Sequence, residues 1–204
     1  MAKNTPKKKT KKKKSRKLLW IILSIFVVFL AGASVGGYYL YEDISAGIPS
    51  LEELENPQAQ LASRVYSADG ELIARYYLQN RVETSLDSIP KHLVNALIAT
   101  EDLKYYDHWG VNVERIIKAL TKYFILGGKR QGGSTITQQL AKNLYKLKKD
   151  KESGYDTVVR KLTEFVTAVQ LEKAYTKNEI LEMYLNTNYL GQGTYGVDMA
   201  AKAY

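Results

Sequence analysis

Twenty-four consecutive residues without a formal charge, "LLWIILSIFVVFLAGASVGGYYLY" from Leu18 to Tyr41, constrain this chain more than any other stretch. At ~1.5 Å per residue a helix of that length crosses a hydrocarbon core of ~30 Å. Trp20 stands near one end and Tyr38, Tyr39 and Tyr41 at the other, where aromatic rings favour the headgroup level. A cleaved signal peptide is the rival reading, with Ala31-Gly32-Ala33 as its small-residue site, but the run exceeds the ~7 to 15 apolar residues of a signal core. A transmembrane helix over 18–41 is the expectation.

Charge sets its direction. The net charge is +9, yet residues 1–17 hold ten Lys or Arg and no acid, leaving twenty basic against twenty-one acidic residues in the rest. The positive-inside rule makes 1–17 a cytoplasmic tail on anionic lipid and sends the chain beyond residue 41 outside, as a single-pass type II protein of the cell membrane. The near-neutral body removes the main support for nucleic-acid binding. The absence of cysteine agrees with an exported domain and excludes thiolate chemistry.

Residues 42–60 mix acids with Pro49 and Pro57, show no apolar period, and read as a linker. A globular domain over 61–204 comes after it. It opens with a β-hairpin at about 63–82 around Asp69-Gly70. Helical periods come next. Leu93, Val94, Leu97 and Ile98 form one apolar face, and Val113, Ile116, Ile117, Leu120 and Phe124 a second. Ile136, Leu140, Leu144 and Leu147 form a third; Val158, Leu162, Phe165, Val166 and Val169 a fourth; Ile180, Leu181, Tyr184 and Leu185 a fifth. Thr176 and Glu179 spell a capping box before the last helix. The fold expected is mainly α, with an N-terminal β-hairpin.

Chemistry should sit where polar residues interrupt these faces. Glu101 falls four after Leu97 and three after Ile98, so it lies along the core side of its helix, where partial desolvation suits a carboxylate to proton transfer. A helix-end Glu turned to solvent is the bland alternative. Asp102 and His108, each taken alone, read as a cap or a satisfied buried group. In "GGSTITQQLAKNLY", Gly132 and Gly133 let the backbone turn and Ser134 can cap the helix, leaving first-turn amides to face an anion. Thr135, Gln138, Gln139 and Lys142 add donors suited to hydroxyls and phosphate oxygens; a capped helix with a polar face fits the same residues. Arg160 and Glu164, four apart opposite Leu162 and Val166, read as an exposed ion pair or, with Lys161, as a phosphate-holding group beside a second carboxylate. Periodicity does not choose between these.

Four ordered segments, "ATEDLKYYDHWGV", "GGSTITQQLAKNLY", "RKLTEFVTAVQLE" and "KNEILEMYLNTNYLGQGTYGV", closely resemble motifs of the peptidoglycan glycosyltransferases, which include the N-terminal halves of class A penicillin-binding proteins and the monofunctional transglycosylases. The likeness covers about residues 62–204, with Tyr105 where the family usually has Phe. It implies a lysozyme-like helical glycosyltransferase domain that is C-terminally incomplete here, ending before the family's fifth motif. A penicillin-sensitive transpeptidase domain can follow in such proteins. The implied reaction polymerises lipid II into β-1,4 glycan strands with inversion and release of undecaprenyl pyrophosphate. Glu101 matches the general base that deprotonates the acceptor's 4-hydroxyl. Glu164 matches the second catalytic glutamate, which orients the donor's pyrophosphate or holds a divalent cation (Mg or Mn). Lys142, Arg160 and Lys161 match cations facing the pyrophosphate, Ser134, Thr135 and Gln139 substrate contacts, with Gln138 beside them, and Tyr184 and Asn186 a structural motif. One of the lysines in 146–149 can supply a further basic contact. A flexible segment is expected at "ILGGKRQGG". Partners so implied are lipid II, the growing strand, the membrane, and divisome or elongation-machinery proteins. A lytic glycan-cleaving enzyme of the same helical kind, and an inactive membrane-anchored scaffold, are the competing functions.

Overall fold

The structure, a computed structural model, describes residues 11–55, 63–76, 80–125, 127 and 132–204. The first ten residues of the basic tail, residues 56–60 of the expected linker, and most of the Gly-rich segment at 125–133 lie outside the described set. The chain divides into two compact units, residues 1–45 and 46–204.

The described residues of the first unit are helical. α1 runs Lys11–Gly47, and within it Lys17–Gly47 is long and apolar enough to cross a membrane. Its apolar side chains are exposed, from Leu18 at 60% to Tyr41 at 70%. An uncharged helical stretch, residues 18–41, with no buried stripe is what a lipid environment, rather than a protein core, requires.

The second unit begins earlier than the sequence pattern indicates. The expected linker instead contributes α2 (Leu51–Glu55), capped by Ser50 and Glu53 and carrying Leu54 into the core at 2% exposure. Tyr175 fastens it, donating from its hydroxyl to the Leu54 carbonyl at 2.7 Å. One buried leucine in a five-residue helix has no periodicity to reveal it.

β1 (Ser63–Tyr66) and β2 (Leu72–Tyr76) pair antiparallel across the Asp69-Gly70 turn, with a bulge between Val65 and Tyr66. The hairpin stops at Tyr76, short of the expected 82. β3 (Asn80–Arg81) joins a second sheet instead, parallel to β5 (Thr194–Tyr195), which pairs with β4 (Tyr189–Gly191) in the order β3-β5-β4. The two halves of the domain are thereby stitched together across more than a hundred residues. Asn186 adds to the stitch: its amide accepts from Thr84 N–H at 3.0 Å and donates to Thr84 C=O at 2.9 Å. Gly196 holds φ +79, and a Cβ there would lie 2.8 Å from the Asn186 carbonyl oxygen, so glycine is required where this strand passes the helix end.

The helices are α3 (Lys91–Glu101), α4 (Val113–Phe124), α5 (Ile136–Leu144), α6 (Gly154–Ala174), α7 (Lys177–Thr187) and α8 (Val197–Ala203). Leu54, Tyr105, Ile136, Leu140, Ala141, Leu171, Ile180, Leu181 and Tyr184 form the core, with Val94, Leu97, Ile98 and Leu144 packed on it. Each fully buried Leu or Ile contributes roughly 1.5–3 kcal/mol. Ile136 and Leu140 on α5 and the face expected on α7 are buried, while the face expected on α3 packs against the core only in part, with Leu93 39% exposed; the Thr176–Glu179 capping box is formed.

Two faces differ. On α4, Val113 and Ile117 are 50% and 58% exposed, so the second apolar face is not covered by the described residues; the side chains of Leu120 and Phe124 lie outside the description. On α6 the buried stripe is Thr163, Glu164, Thr167, Ala168 and Leu171, while Val158 and Val166 are exposed. Small side chains on that stripe let α5 and α6 approach closely, and the buried Glu164 carboxylate is compensated by Arg160 and Lys161. Hydrophobicity alone selects the wrong face.

Candidate active site

The C-terminal end of α3 is held by its own next residue. Asp102 is 1% exposed, and its Oδ2 accepts from the Ile136 N–H at 3.1 Å and from His108 Nε2 at 2.8 Å. The Gly110 N–H donates to His108 Nδ1 at 3.1 Å, so the ring proton facing Asp102 sits on Nε2. Arg115, on α4, donates to the Glu101 carbonyl and lies 3.8 Å from Asp102 Oδ1. These bonds tie α3, α4 and the start of α5 into one frame around Glu101.

The first turn of α5 is accordingly occupied from within. Thr135, not Ser134, is its N-cap: Thr135 Oγ1 accepts from the Gln138 N–H at 3.1 Å, and the Gln138 side chain accepts from the Thr135 N–H at 3.1 Å. The Thr135 hydroxyl also donates to the Gly110 carbonyl at 2.6 Å. Thr135 and Gln138 are both 0% exposed, so neither is positioned to touch a ligand, contrary to expectation. The anion expected at this helix start is present, but it is Asp102. Gly110 permits the packing, since a Cβ at its φ of +96 would meet the Ala168 carbonyl oxygen at 2.7 Å.

One residue beyond Gln138 the open side of α5 begins. Gln139 Nε2 donates to Glu101 Oε2 at 2.8 Å, and Gln139 Oε1 accepts from the Tyr184 hydroxyl at 3.1 Å. Glu101 Oε1 has no hydrogen-bond partner among the described residues. Glu101 is half-buried, as its spacing from Leu97 and Ile98 indicates, and lines a cavity of about 300 Å³ together with Asn112 and Arg115. Gln139 lines a second cavity of about 510 Å³ with Asn143, Lys146, Asn188, Tyr189 and Tyr195. The Glu101–Gln139 bond therefore has an open cleft at each end.

Lys142, one turn beyond Gln139, faces the second carboxylate. Glu164 is 1% exposed, and its two oxygens accept from Arg160 Nη1 and from Lys161 Nζ, the latter at 2.6 Å. Arg160 is braced by Glu152 at 2.8 Å, and Lys161 reaches Ser134 Oγ at 3.1 Å. The exposed ion pair that periodicity offers is thus a buried charge cluster. Lys142 Nζ makes no hydrogen bond or ion pair among the described residues. Its pKa is lowered chiefly by burial, with Glu164 opposing and Lys161 and Arg160 reinforcing the shift. A carboxylate whose two oxygens are engaged by the Arg160 guanidinium and the Lys161 ammonium does not fit a divalent cation. No cluster of three or more candidate metal ligands occurs among the described residues. The surplus of positive charge suits an anion instead.

The structure thus joins Glu101 with Gln139, and Ser134 with Lys161, Glu164, Arg160 and Lys142, along one side of α5. Thr135 and Gln138 fall outside this group. Sequence reasoning misses Arg115 and Glu152, which no local spacing connects to the site, and gives Tyr184 a structural task without its hydroxyl contact.

A family model described as Transglycosylase matches residues 69–204. The chain is 41% identical over 185 residues to penicillin-binding protein 1A of Escherichia coli (strain K12), covering 91% of this chain and 21% of that protein. It is 39% identical over 189 residues to penicillin-binding protein 1A of Aquifex aeolicus (strain VF5), covering 93% of this chain and 25% of that one. For penicillin-binding protein 1A of Neisseria gonorrhoeae the values are 42% over 157 residues, 77% and 19%. The chain spans about a fifth to a quarter of the length of these curated relatives. With the match extending over two thirds of its residues and the ordered segments folded around one carboxylate and one cationic cluster, the chain belongs to the transglycosylase family.

Proposed function

We propose that this chain is the glycosyltransferase portion of a class A penicillin-binding protein, joining lipid II units into β-1,4 glycan strands outside the cell membrane. The observation that carries the reading is the pairing, along one side of α5, of a half-buried carboxylate with one unoccupied oxygen and a cationic cluster one turn away. Glu101 Oε1 accepts the proton of the acceptor's 4-hydroxyl as that oxygen attacks the donor's anomeric carbon. The bond to the pyrophosphate breaks on the opposite face, which inverts the configuration. Lys142, Arg160 and Lys161 meet the charge growing on the leaving group without reorganising, the condition under which electrostatic stabilisation is strongest. Glu164 holds Arg160 and Lys161 in place rather than contacting substrate. A transfer reaction needs room for two sugars, and clefts open at both ends of the Glu101–Gln139 bond.

The N-terminal helix acts as the membrane anchor, with the basic tail in the cytoplasm. Lipid II keeps its polyprenyl tail in the bilayer, so a catalytic unit tethered by one short anchor remains within reach of the reacting carbon. Glu101→Gln is the deciding variant. It preserves the Gln139 contact in shape but removes the base, and should abolish polymerisation of labelled lipid II while leaving the melting temperature near that of the parent. More than a few per cent of parental turnover would overturn the assignment, and shortening of preformed glycan by the parent chain would favour a lytic enzyme.

A further inference from the structure

We infer that Tyr184 is a positioning residue for the base, acting through Gln139 rather than through substrate; this rests on the reading of Glu101 as the general base. The Gln139 amide can occupy its site in two orientations. Reversed, it would set Oε1 against Glu101 Oε2, two acceptors with no proton between them. The observed orientation gives Glu101 a donor at 2.8 Å and leaves Oε1 of Gln139 to accept at 3.1 Å from Tyr184. Tyr184 is suited to the task. It sits on the buried face of α7 at 5% exposure, packed in the core, so its ring cannot swing away. Burial pushes its phenol up from the usual range, against the opposing pull of the Asn188 amide, and Glu101 adds to the rise. The hydroxyl therefore keeps its proton and remains a donor.

The chain Tyr184 Oη to Gln139 to Glu101 Oε2 has a chemical consequence. One carboxylate oxygen is pinned, and the other is directed to the side where no described residue meets it. A base aimed in this way meets the acceptor hydroxyl along one fixed line, whereas a free carboxylate would sample many. Family resemblance by itself gives Gln139 to substrate and Tyr184 to structure alone. The geometry joins them in one device that acts on the rate of the chemical step and not on affinity.

Tyr184→Phe removes one oxygen and keeps the packing. With the full-length membrane-anchored protein and labelled lipid II, kcat should fall about fivefold to tenfold, the loss expected for one buried hydrogen bond, with KM within about twofold of the parent. Tyr175→Phe, which loses a comparable hydroxyl bond to the Leu54 carbonyl far from Glu101, should leave kcat unchanged. Gln139→Met removes the middle of the chain, and should lower kcat at least as far; adding Tyr184→Phe to it should then change nothing more. Equal kcat for Tyr184→Phe and parent, a change in KM alone, or additive effects in the double variant would each overturn the inference. If Tyr184→Phe unfolds, the Gln139→Met result decides, since kcat retained there is equally fatal. Glu101→Gln measured alongside separates the two readings: an active Glu101→Gln ends the base assignment, while an inactive one beside an unimpaired Tyr184→Phe ends only the positioning role.

Discussion

Lys142 and Thr135 stand seven residues apart and look alike to sequence reasoning, as polar donors on one helix. Their surroundings divide them. Thr135 is fully buried and spends its hydroxyl on Gly110 and Gln138, so Thr135→Ala should cost about 1–2 kcal/mol of stability, as loss of a helix cap does. Lys142 Nζ has no hydrogen bond among the described residues to lose, and burial already lowers its pKa. Lys142→Ala should therefore melt no lower than the parent, while turnover of lipid II falls roughly ten- to a hundredfold, the effect of losing a charge-assisted contact of ~1.5–3 kcal/mol. Melting curves and polymerisation assays on the two variants test this; a Lys142→Ala protein with parental turnover would remove the pyrophosphate from this part of α5.

At the scale of elements, the capping boxes are among the clearest determinants. Three helices, α5, α6 and α7, begin with one. At the start of α6, Ser153 donates from both its N–H and its hydroxyl to Asp156 Oδ2, and Lys149 reaches Oδ1 at 3.0 Å. The Ser153 and Lys149 bonds hold the Asp156 carboxyl down to about 2. A depressed carboxyl contributes stability above its unfolded value, near 4, and loses it as pH falls through its folded one. Asp156→Asn should thus melt a few degrees below the parent at pH 5, and the gap should close between about pH 4 and pH 2, as measured by circular dichroism. The Thr176 box is legible in the sequence because its spacing is explicit, and the faces of α5 and α7 because Ile136, Leu140, Ile180 and Leu181 do fill the core; the α3 face packs on it only in part. The α6 face is not legible. Its buried side holds Thr163, Glu164 and Thr167, whose burial is made tolerable by Arg160, Lys161 and close helix packing, none of which periodicity weighs. The Asp102 carboxylate at the start of α5 is hidden for a related reason: it lies 34 residues away in sequence.

For the whole molecule, the decisive asymmetry is between the two ends of α1. Ten Lys or Arg precede residue 18, while residues 42–63 after the apolar run hold none, so the Lys/Arg bias favours a single orientation. The chain contains no cysteine, and a single introduced thiol reports its side of the membrane without background. Thr10→Cys lies in the basic tail. Lys151→Cys lies on the exposed surface between α5 and α6, where substitution disturbs no core residue. In intact spheroplasts a membrane-impermeant maleimide should label Lys151→Cys fully and leave Thr10→Cys unlabelled, and permeabilisation should make the two equal. This outcome is required by the proposed chemistry, because the acceptor strand and the peptide-bearing sugars of lipid II are outside when they react. Labelling of Thr10→Cys from outside would reverse the topology and strand Glu101 on the wrong side of the membrane from its substrate, whatever the geometry around it.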